Sequence, residues 1–252
     1  MCAANLIQPI KDYVRGKLLA YGISATRVQT SGNAEALTIS LLQQTRGNLV
    51  IDVGAHEGEF ALGVLRACRG IPVLSFEPIP EVFIRLQKSA RRQRYWRVIN
   101  LALGDQAREA EINISANRTA SSLLAPASTG LMHAGFETVK RVAIRIERLE
   151  DILSREYAHL EDKRIYLKLD VQGFELLVLK GVGRLLDRVV ACQVELSLAE
   201  LYQGQPQAYE VYAWLQQHGF SLYGVSNTLR DQNTSALQQV DGFFIKNGQI
   251  TP

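Results

Sequence analysis

The chain has 252 residues, of which 47% are hydrophobic and 21% are charged, and its formal net charge is +3. This length and composition predict one large α/β domain, or two small ones, with a packed core. The near-neutral charge argues against a nucleic-acid surface, and the widely spaced cysteines argue against a zinc site or a disulfide framework. No apolar run is long enough for a membrane segment. We therefore expect a cytoplasmic protein.

Residues 1–46 are predicted to form a helical extension at the N-terminus. Apolar side chains recur at every fourth position and would form one stripe, at Leu6, Ile10, Val14 and Leu18. Asn33 is a candidate N-cap for a second helix, which carries Leu37 and Leu41. We expect this extension to pack on the main domain as a lid or a side support.

Residues 47–252 alternate short β-rich runs with helical segments, which predicts a doubly wound, Rossmann-like α/β domain with a mainly parallel sheet. The predicted strands are Asn48–Val53, Pro72–Phe76, Trp96–Leu101, Ile165–Leu169, Val189–Leu196, Ser221–Val225 and Val240–Lys246. The predicted helices are Glu59–Cys68, Pro80–Arg91, Phe174–Leu186 and Ala208–His218. No helical pattern separates the last two strands, so we expect them to form an antiparallel hairpin.

The stretch from Gly104 to Arg148 departs from this alternation. Two β-like pieces, Glu109–Ser115 and Val139–Ile146, flank a polar loop over residues 116–135. We predict a hairpin-like insertion over the edge of the sheet, with a loop that carries substrate contacts.

The clearest motif is a glycine loop that follows the first strand. The strand ends in Asp52, and the chain then turns through Gly54 and Gly58 into a helix. Glycine permits the tight turn and lets a ligand approach the backbone. Position 56 is histidine, so the loop lacks the middle glycine that a dinucleotide pyrophosphate needs. Asp52 would repel a pyrophosphate and attract an α-ammonium group.

A second acid supports a nucleoside ligand. Glu77 follows the second strand about 20 residues after the glycine loop, where a carboxylate can accept both hydrogen bonds from a ribose diol. Together with the form of the glycine loop, this placement favours S-adenosylmethionine over NAD. The predicted cofactor site therefore contains Asp52, Gly54, Ala55, His56, Gly58, Glu77 and Pro78.

Acids also end the fourth and fifth predicted strands, Ile165–Leu169 and Val189–Leu196. Asp170 is expected beside Asp52, where it could hold the methionine ammonium, orient the acceptor or act as a base. Glu195 and His133 are the other candidate bases, and His133 is included because histidine titrates near neutral pH. No compact ligand motif predicts a metal site. A magnesium ion shared by Asp170 and Glu195 stays an open alternative, because hard cations prefer oxygen ligands.

In their order and spacing, these residues resemble the FkbM family of methyltransferases over roughly residues 47–196. The matching motifs are Asp52-x-Gly54-x-x-x-Gly58, Phe76-Glu77-Pro78, Asn100-x-Ala102-Leu103-Gly104-Asp105, Ser121-Ser122 and Lys168-x-Asp170-x-x-Gly173-x-Glu175. The resemblance implies a class I methyltransferase fold with a seven-stranded sheet and S-adenosylmethionine as cofactor. It also implies O-methylation of a polyketide-type product, a sugar or a glycan, with Asn100 and Ala102 beside the adenine. His56 is a departure, since the family more often carries asparagine there.

Three alternatives stay open from the residues alone. An NAD(P)-binding oxidoreductase is weakened by the missing middle glycine. A nucleic-acid methyltransferase is weakened by the near-neutral charge, and by Val171-Gln172-Gly173 in place of a proline-aromatic pair after Asp170. The third is a scaffold that binds the cofactor without catalysis. We favour an enzyme with a small-molecule or glycan acceptor.

Overall fold

The computed structural model describes residues 33–131, 133–157, 159–231 and 233–249, without the side chains of residues 227 and 228. The apolar stripe predicted for residues 6–18 lies outside this range. The first described helix is α1 (Ala34–Gln44). Asn33 caps it as predicted, because its side-chain oxygen accepts hydrogen bonds from the backbone amides of Glu35 and Ala36 at 3.0 and 3.4 Å.

Strands and helices alternate over most of the remaining chain. The strands are β1 (Leu49–Val53), β2 (Val73–Phe76), β3 (Trp96–Ile99), β4 (Ala102–Leu103), β5 (Arg108–Ser115), β6 (Thr138–Glu147), β7 (Ile165–Leu169), β8 (Val189–Ser197), β9 (Phe220–Arg230) and β10 (Leu237–Lys246). The later helices are α2 (Glu59–Ala67), α3 (Pro80–Ala90), α4 (Ser128–Leu131), α5 (Leu149–Glu156), α6 (Glu175–Gly181) and α7 (Ala208–Gln217). Each strand and helix predicted for residues 47–252 is present, and α4, α5 and β4 were not predicted.

Seven of the strands form one sheet, in the order β3-β2-β1-β7-β8-β10-β9. The first five run parallel, whereas β10 runs antiparallel to both of its neighbours. The doubly wound sheet and the terminal hairpin are therefore confirmed. The chain order reverses between β1 and β7, and in such sheets this reversal opens a crevice beyond the carboxyl ends of the strands.

Helices cover both faces of the seven-stranded sheet. Residues of α5, α6 and α7 pack on one face, including Leu153, Val178 and Leu215. Residues of α1, α2 and α3 pack on the other face, including Leu41 and Leu86. None of the described helices has both the length and the apolar character needed to cross a membrane.

The insertion forms a second, smaller sheet in the order β4-β6-β5. The antiparallel pair β5 and β6 confirms the predicted hairpin, and β4 joins it in parallel with β6. The predicted strand Trp96–Leu101 was too long, because β3 stops at Ile99. There the side-chain amide of Asn100 donates to the carbonyls of Glu77 and Pro78 at 2.8 and 3.0 Å, and the chain leaves the main sheet for the smaller one.

Candidate functional site

A cavity opens at the carboxyl ends of β1, β2 and β7, where the chain order reverses. It contains about 710 Å³ of empty space, part of it open to solvent. We call it the glycine-loop cavity. Its lining includes six of the predicted cofactor residues, Gly54, His56, Glu77, Pro78, Ala102 and Asp170. The insertion adds polar and apolar side chains to the wall, at Ile112, Arg118, Thr119, Ser121 and Leu123.

Gly54 brings two loops into direct contact. Its φ angle is +76°, and a Cβ atom at this position would lie 1.8 Å from the backbone oxygen of Asp170. A side chain is therefore excluded both by the left-handed backbone and by the neighbouring loop. Gly54 thus allows the loops after β1 and β7 to meet at the floor of the cavity.

We predict that Gly54→Ala is more destabilising than an alanine at another left-handed glycine. Gly70 is the matched control, because its φ is +85° and a Cβ there would meet nothing within 4 Å. Gly70→Ala should cost roughly 1–2 kcal/mol from backbone strain alone. Gly54→Ala should cost at least about 2 kcal/mol more, because the loop after β7 must move. Urea denaturation measures both, and equal losses would show that the contact with Asp170 is unimportant.

Glu77 is buried at the edge of this cavity. Its two carboxylate oxygens accept hydrogen bonds from the backbone amides of His56 and Ile79, at 2.9 and 2.8 Å. Burial raises the pKa of Glu77 to about 7, against the effect of these two hydrogen bonds. A carboxylate oxygen can accept more than one hydrogen bond, so Glu77 keeps acceptor capacity for a ligand.

His56 lines the cavity from an unusual backbone conformation. Its φ angle of 49° lies in the left-handed region, which asparagine and glycine enter more readily than histidine. The ring atom Nε2 is buried and has no hydrogen-bond partner among the described residues. Burial lowers the pKa of His56, which favours the neutral ring.

The structure places Asp52 beneath the cavity that it was predicted to line. Its side chain is fully buried, and it accepts a hydrogen bond from the Ser75 hydroxyl at 2.9 Å. Side chains alternate along a strand, so Asp52 points to the sheet face covered by α2, beside Lys168 on β7. The Lys168 ammonium lies 3.6 Å from Asp52 and 3.4 Å from Asp170. The chain's own lysine therefore occupies the position that we predicted for a ligand ammonium.

Lys168 remains charged although it is almost completely buried. Burial alone would lower its pKa, but the carboxylates of Asp170 and Asp52 outweigh this effect and raise it. The ammonium also donates to the backbone oxygen of Gly54 at 3.1 Å. Lys168 thus joins the glycine loop to the loop after β7.

Three other predicted cofactor residues shape the loops without lining the cavity. Ala55 is buried, and its amide donates to the Phe76 carbonyl at 3.0 Å. Gly58 faces Trp96, whose ring carbon would lie 2.3 Å from an added Cβ. Asn100 holds the turn after Glu77 through the two hydrogen bonds described above. These residues support the site from behind.

A second cavity, with about 710 Å³ of space that is also open to solvent, adjoins the first. We call it the carboxylate cavity, because Asp170, Glu195 and Asp241 line it together with Gln172, Gln193 and Gln239. The insertion closes one side with Asn117, Thr119, Ala120 and Phe136. Asp170 and Gln172 line both cavities, and so does Thr119.

Three acidic side chains lie close together in the wall of the carboxylate cavity. Glu195 lies opposite Asp241 in the register of β8 and β10. Burial and the nearby Asp170 raise the pKa of both residues, to about 6 for Asp241 and well above the usual range for Glu195. Lys168 is the cation that opposes these shifts. Over the described part of the chain, no group of three or more His, Cys, Asp or Glu residues forms a candidate metal site.

His133 lines neither cavity, although we predicted it as a candidate base. It is buried in the insertion, where its ring lies 5.4 Å from that of Phe136. Its Nε2 atom forms a hydrogen bond with the side chain of Gln238. The turn before β6 thus packs this histidine against Phe136 and Gln238.

Glu175 fixes the loop that carries Asp170. Its buried carboxylate accepts hydrogen bonds from the amides of Val171 at 2.9 Å and Gly173 at 3.1 Å. Burial raises the pKa of Glu175 to about 7, against these hydrogen bonds. Ser122 secures the same loop from the insertion, because its hydroxyl donates to the Gln172 carbonyl at 2.6 Å.

Sequence reasoning missed the glutamines and the third acid of the carboxylate cavity. A signal was present, since polar residues alternate with apolar ones in both strands, at Gln193 and Glu195 in β8 and at Gln239 and Asp241 in β10. This alternation is typical of a strand with one polar face. Gln172 had no such signal.

Comparison with known proteins adds to this geometry. The Methyltransferase FkbM domain matches residues 52–222, which is more than half of the chain. One curated relative is the 31-O-demethyl-FK506 methyltransferase FkbM of Streptomyces tacrolimicus. It is 26% identical over 206 residues, covering 73% of this chain and 76% of the relative.

Two solved structures are among the similar ones. The methyltransferase FkbM from Methylobacillus flagellatus KT has a TM-score of 0.48 and 16% identity, covering 78% of this chain and 43% of that chain. Our chain thus spans less than half of that protein. Aeropyrum pernix fibrillarin with bound S-adenosyl-L-methionine has a TM-score of 0.46 and 10% identity, covering 79% of this chain and 66% of that one.

The matched region contains both loops that form the glycine-loop cavity, and also the strand that carries Glu195. The sheet order and the parallel strands agree independently with the fold that the sequence motifs implied. This chain belongs to the FkbM family of S-adenosylmethionine-dependent methyltransferases.

Proposed function

We propose that the protein methylates a hydroxyl group on a sugar, a glycan or a polyketide-type acceptor. The observation that carries this proposal is that a cavity suited to the methyl donor adjoins a cavity suited to hydroxyl groups, and that one carboxylate, Asp170, lines both. The curated relative named as a 31-O-demethyl-FK506 methyltransferase supports a polyketide-type acceptor.

The glycine-loop cavity fits an adenosyl group. Glu77 has acceptor capacity for ribose hydroxyls, and His56 lines the same wall. Apolar side chains suited to a flat base line the same wall, at Ile79, Leu103 and Phe174. When bound, S-adenosylmethionine supplies a methyl group that its sulfonium makes electrophilic.

The carboxylate cavity fits an uncharged, hydroxyl-bearing acceptor. Carboxylates accept hydrogen bonds from hydroxyls, and the side-chain amides of Gln193 and Gln239 can both donate and accept. The ring of Phe136 adds an apolar surface against which a sugar or macrolide face can pack. The cavity's negative charge repels phosphates and carboxylates, which disfavours nucleic acid as the acceptor.

Asp170 is the proposed general base. A hydroxyl must lose its proton as its oxygen bonds to the methyl carbon, so the base has to stand where donor and acceptor meet. Asp170 is the carboxylate that lines both cavities. Glu195 lies deeper, and we assign it to binding the acceptor. His133 receives no role, since it lies outside both walls.

Calorimetry with S-adenosylmethionine, S-adenosylhomocysteine and NAD tests the donor site. We expect both sulfur compounds to bind with a 1:1 stoichiometry and NAD to show no binding. Binding of NAD alone would contradict the proposal.

The acceptor is tested by release of S-adenosylhomocysteine from S-adenosylmethionine. We expect activity with a neutral methyl glycoside or a hydroxylated macrolide, and a product heavier by one methylene that carries a methyl ether. The matched uronic acid glycoside should react at least about tenfold more slowly, because its carboxylate meets like charge. Methylation of RNA, or of an amine nitrogen in preference to a hydroxyl, would overturn the assignment.

A further inference from the structure

Gln172 stands at the boundary between the two cavities and lines both. Its φ angle is 54°, a left-handed conformation that non-glycine residues adopt at an energetic cost. Strained residues of this kind persist where the surrounding structure holds them in place. Here the Ser122 hydroxyl holds the Gln172 carbonyl, and Glu175 holds the amides on either side.

The side chain of Gln172 joins two carboxylates through one atom. Its amide nitrogen donates to Asp170 at 2.8 Å and to Glu195 at 2.8 Å. A carboxamide nitrogen carries two hydrogens, so each carboxylate receives one. The nitrogen therefore has no further hydrogen for a third acceptor.

Tyr202 contacts the oxygen end of this amide. Its buried hydroxyl lies 2.7 Å from the Gln172 side-chain oxygen and 2.9 Å from the backbone oxygen of Ala120. The reverse orientation of the amide would place its oxygen against two carboxylate oxygens, with no donor between them. The two carboxylates therefore fix the orientation, and Tyr202 stabilises it by donating its single hydrogen to the Gln172 oxygen, the nearer of its two possible acceptors.

We propose that Gln172 is a positioning residue that holds Asp170 at the boundary of the two cavities by bridging it to Glu195, with Tyr202 stabilising the amide. The inference rests on the proposed function, which makes Asp170 the general base in the wall of both cavities and assigns Glu195 to binding the acceptor. Without the bridge, Lys168, 3.4 Å away, would be the one remaining side-chain partner of Asp170 among the described residues.

The electrostatics explain why a bridge is needed. The charged groups around Glu195 are Asp170 and Lys168 from the β7 side, Glu175 from α6 and Asp241 from β10. Three of these four groups are acids, and each of them disfavours a negative charge on Glu195. Asp170 and Glu195 therefore repel each other when both are ionised. A shared N–H donor stabilises both negative charges in a fixed arrangement. Gln239 also donates to Glu195, at 2.9 Å, but it is not bonded to Asp170.

This difference supplies a matched pair of variants, Gln172→Met and Gln239→Met. Methionine is similar in length, unbranched and unable to donate, so packing and the backbone cost at position 172 are largely retained. Two quantities are measured: the titration midpoint of the Glu195 carboxyl by ¹³C NMR, assigned with Glu195→Gln, and the affinity for S-adenosylhomocysteine by calorimetry. Both variants should raise the Glu195 midpoint by about one pH unit, since each removes a donor to the carboxylate. Only Gln172→Met should weaken S-adenosylhomocysteine binding, by about tenfold, because it alone releases Asp170.

The outcomes separate the inference from the proposed function. If the wild-type protein does not bind S-adenosylhomocysteine, the proposed function fails. If the wild type binds it and Gln172→Met changes only the Glu195 midpoint, or changes neither quantity, the bridge is refuted. Tyr202→Phe gives a second test that leaves Gln172 in place, and it decides the matter if Gln172→Met does not fold. It should shift both quantities in the same direction by a smaller amount, and unchanged values would refute the bridge as proposed, with Tyr202 as its support.

Discussion

Lys168→Met is expected to lower the free energy of unfolding by about 3–5 kcal/mol at pH 8, as removal of one partner from a buried ion pair does. Asp52 would then be a fully buried carboxylate whose remaining partner is the Ser75 hydroxyl. One of its oxygens, Oδ1, already has no hydrogen bond within the described part of the chain. Burial raises the pKa of Asp52, and Lys168 is the largest influence that lowers it.

The loss should depend on pH in a defined direction. Without Lys168 the pKa of Asp52 in the folded protein rises further above its unfolded value, so folding is accompanied by proton uptake. The destabilisation is then complete above the folded pKa and shrinks as the pH falls toward the unfolded value near 4. Urea denaturation at pH 5 and pH 8 measures this difference.

Two variants control this experiment. Lys140→Met removes an exposed lysine that pairs with Glu81, and it should have little effect at either pH. Adding Asp52→Asn to Lys168→Met should recover part of the stability at pH 8, because the buried charge is gone. A loss of equal size at pH 5 and pH 8, with no recovery in the double variant, would show that Lys168 acts through packing alone.

The second large effect is expected on cofactor affinity. Glu77→Gln should weaken S-adenosylhomocysteine binding about 10- to 100-fold at pH 8, the range expected for hydrogen bonds to a charged group. The carboxamide cannot accept from both backbone amides and from a ribose diol at once. Glu81→Gln is the matched control, because Glu81 lies on α3, is exposed and does not line the cavity. Calorimetry should give the control an affinity within about twofold of the wild type.

Binding by Glu77 should also depend on pH. Its pKa is raised to about 7 in the free protein, and a ribose diol binds best to the ionised carboxylate. Affinity for S-adenosylhomocysteine should therefore rise by up to about tenfold per pH unit below pH 7 and level off above it. Glu77→Gln should lose this slope. If the slope survives in the variant, another group controls the pH dependence.

Family membership decides against the oxidoreductase that the residues alone had left open. The missing middle glycine was the correct signal against a dinucleotide site. In the structure, Gly54 packs against the Asp170 carbonyl, and His56, at the middle position, lines the cavity. The argument from Asp52 was wrong in its detail. A carboxylate at the end of a strand can face either side of the sheet, and here the neighbouring strand supplies its own cation.

In the sequence, short β-rich runs alternate with helical segments, and this alternation determined the doubly wound sheet and the terminal hairpin. The position of the glycine loop followed from the turn residues after the first strand. These features depend on local periodicity and on turn residues, so the sequence alone was enough. The sequence also placed Glu77 and Asp170 correctly at one sheet edge, since parallel strands end together. Only the tertiary structure decided how the acids are paired and which of them are accessible. The pairing of Asp52 with Lys168, the bridge by Gln172 and the approach of Asp241 from β10 join residues distant in sequence. Such contacts depend on strand register and on which face each side chain occupies, and no local pattern encodes them.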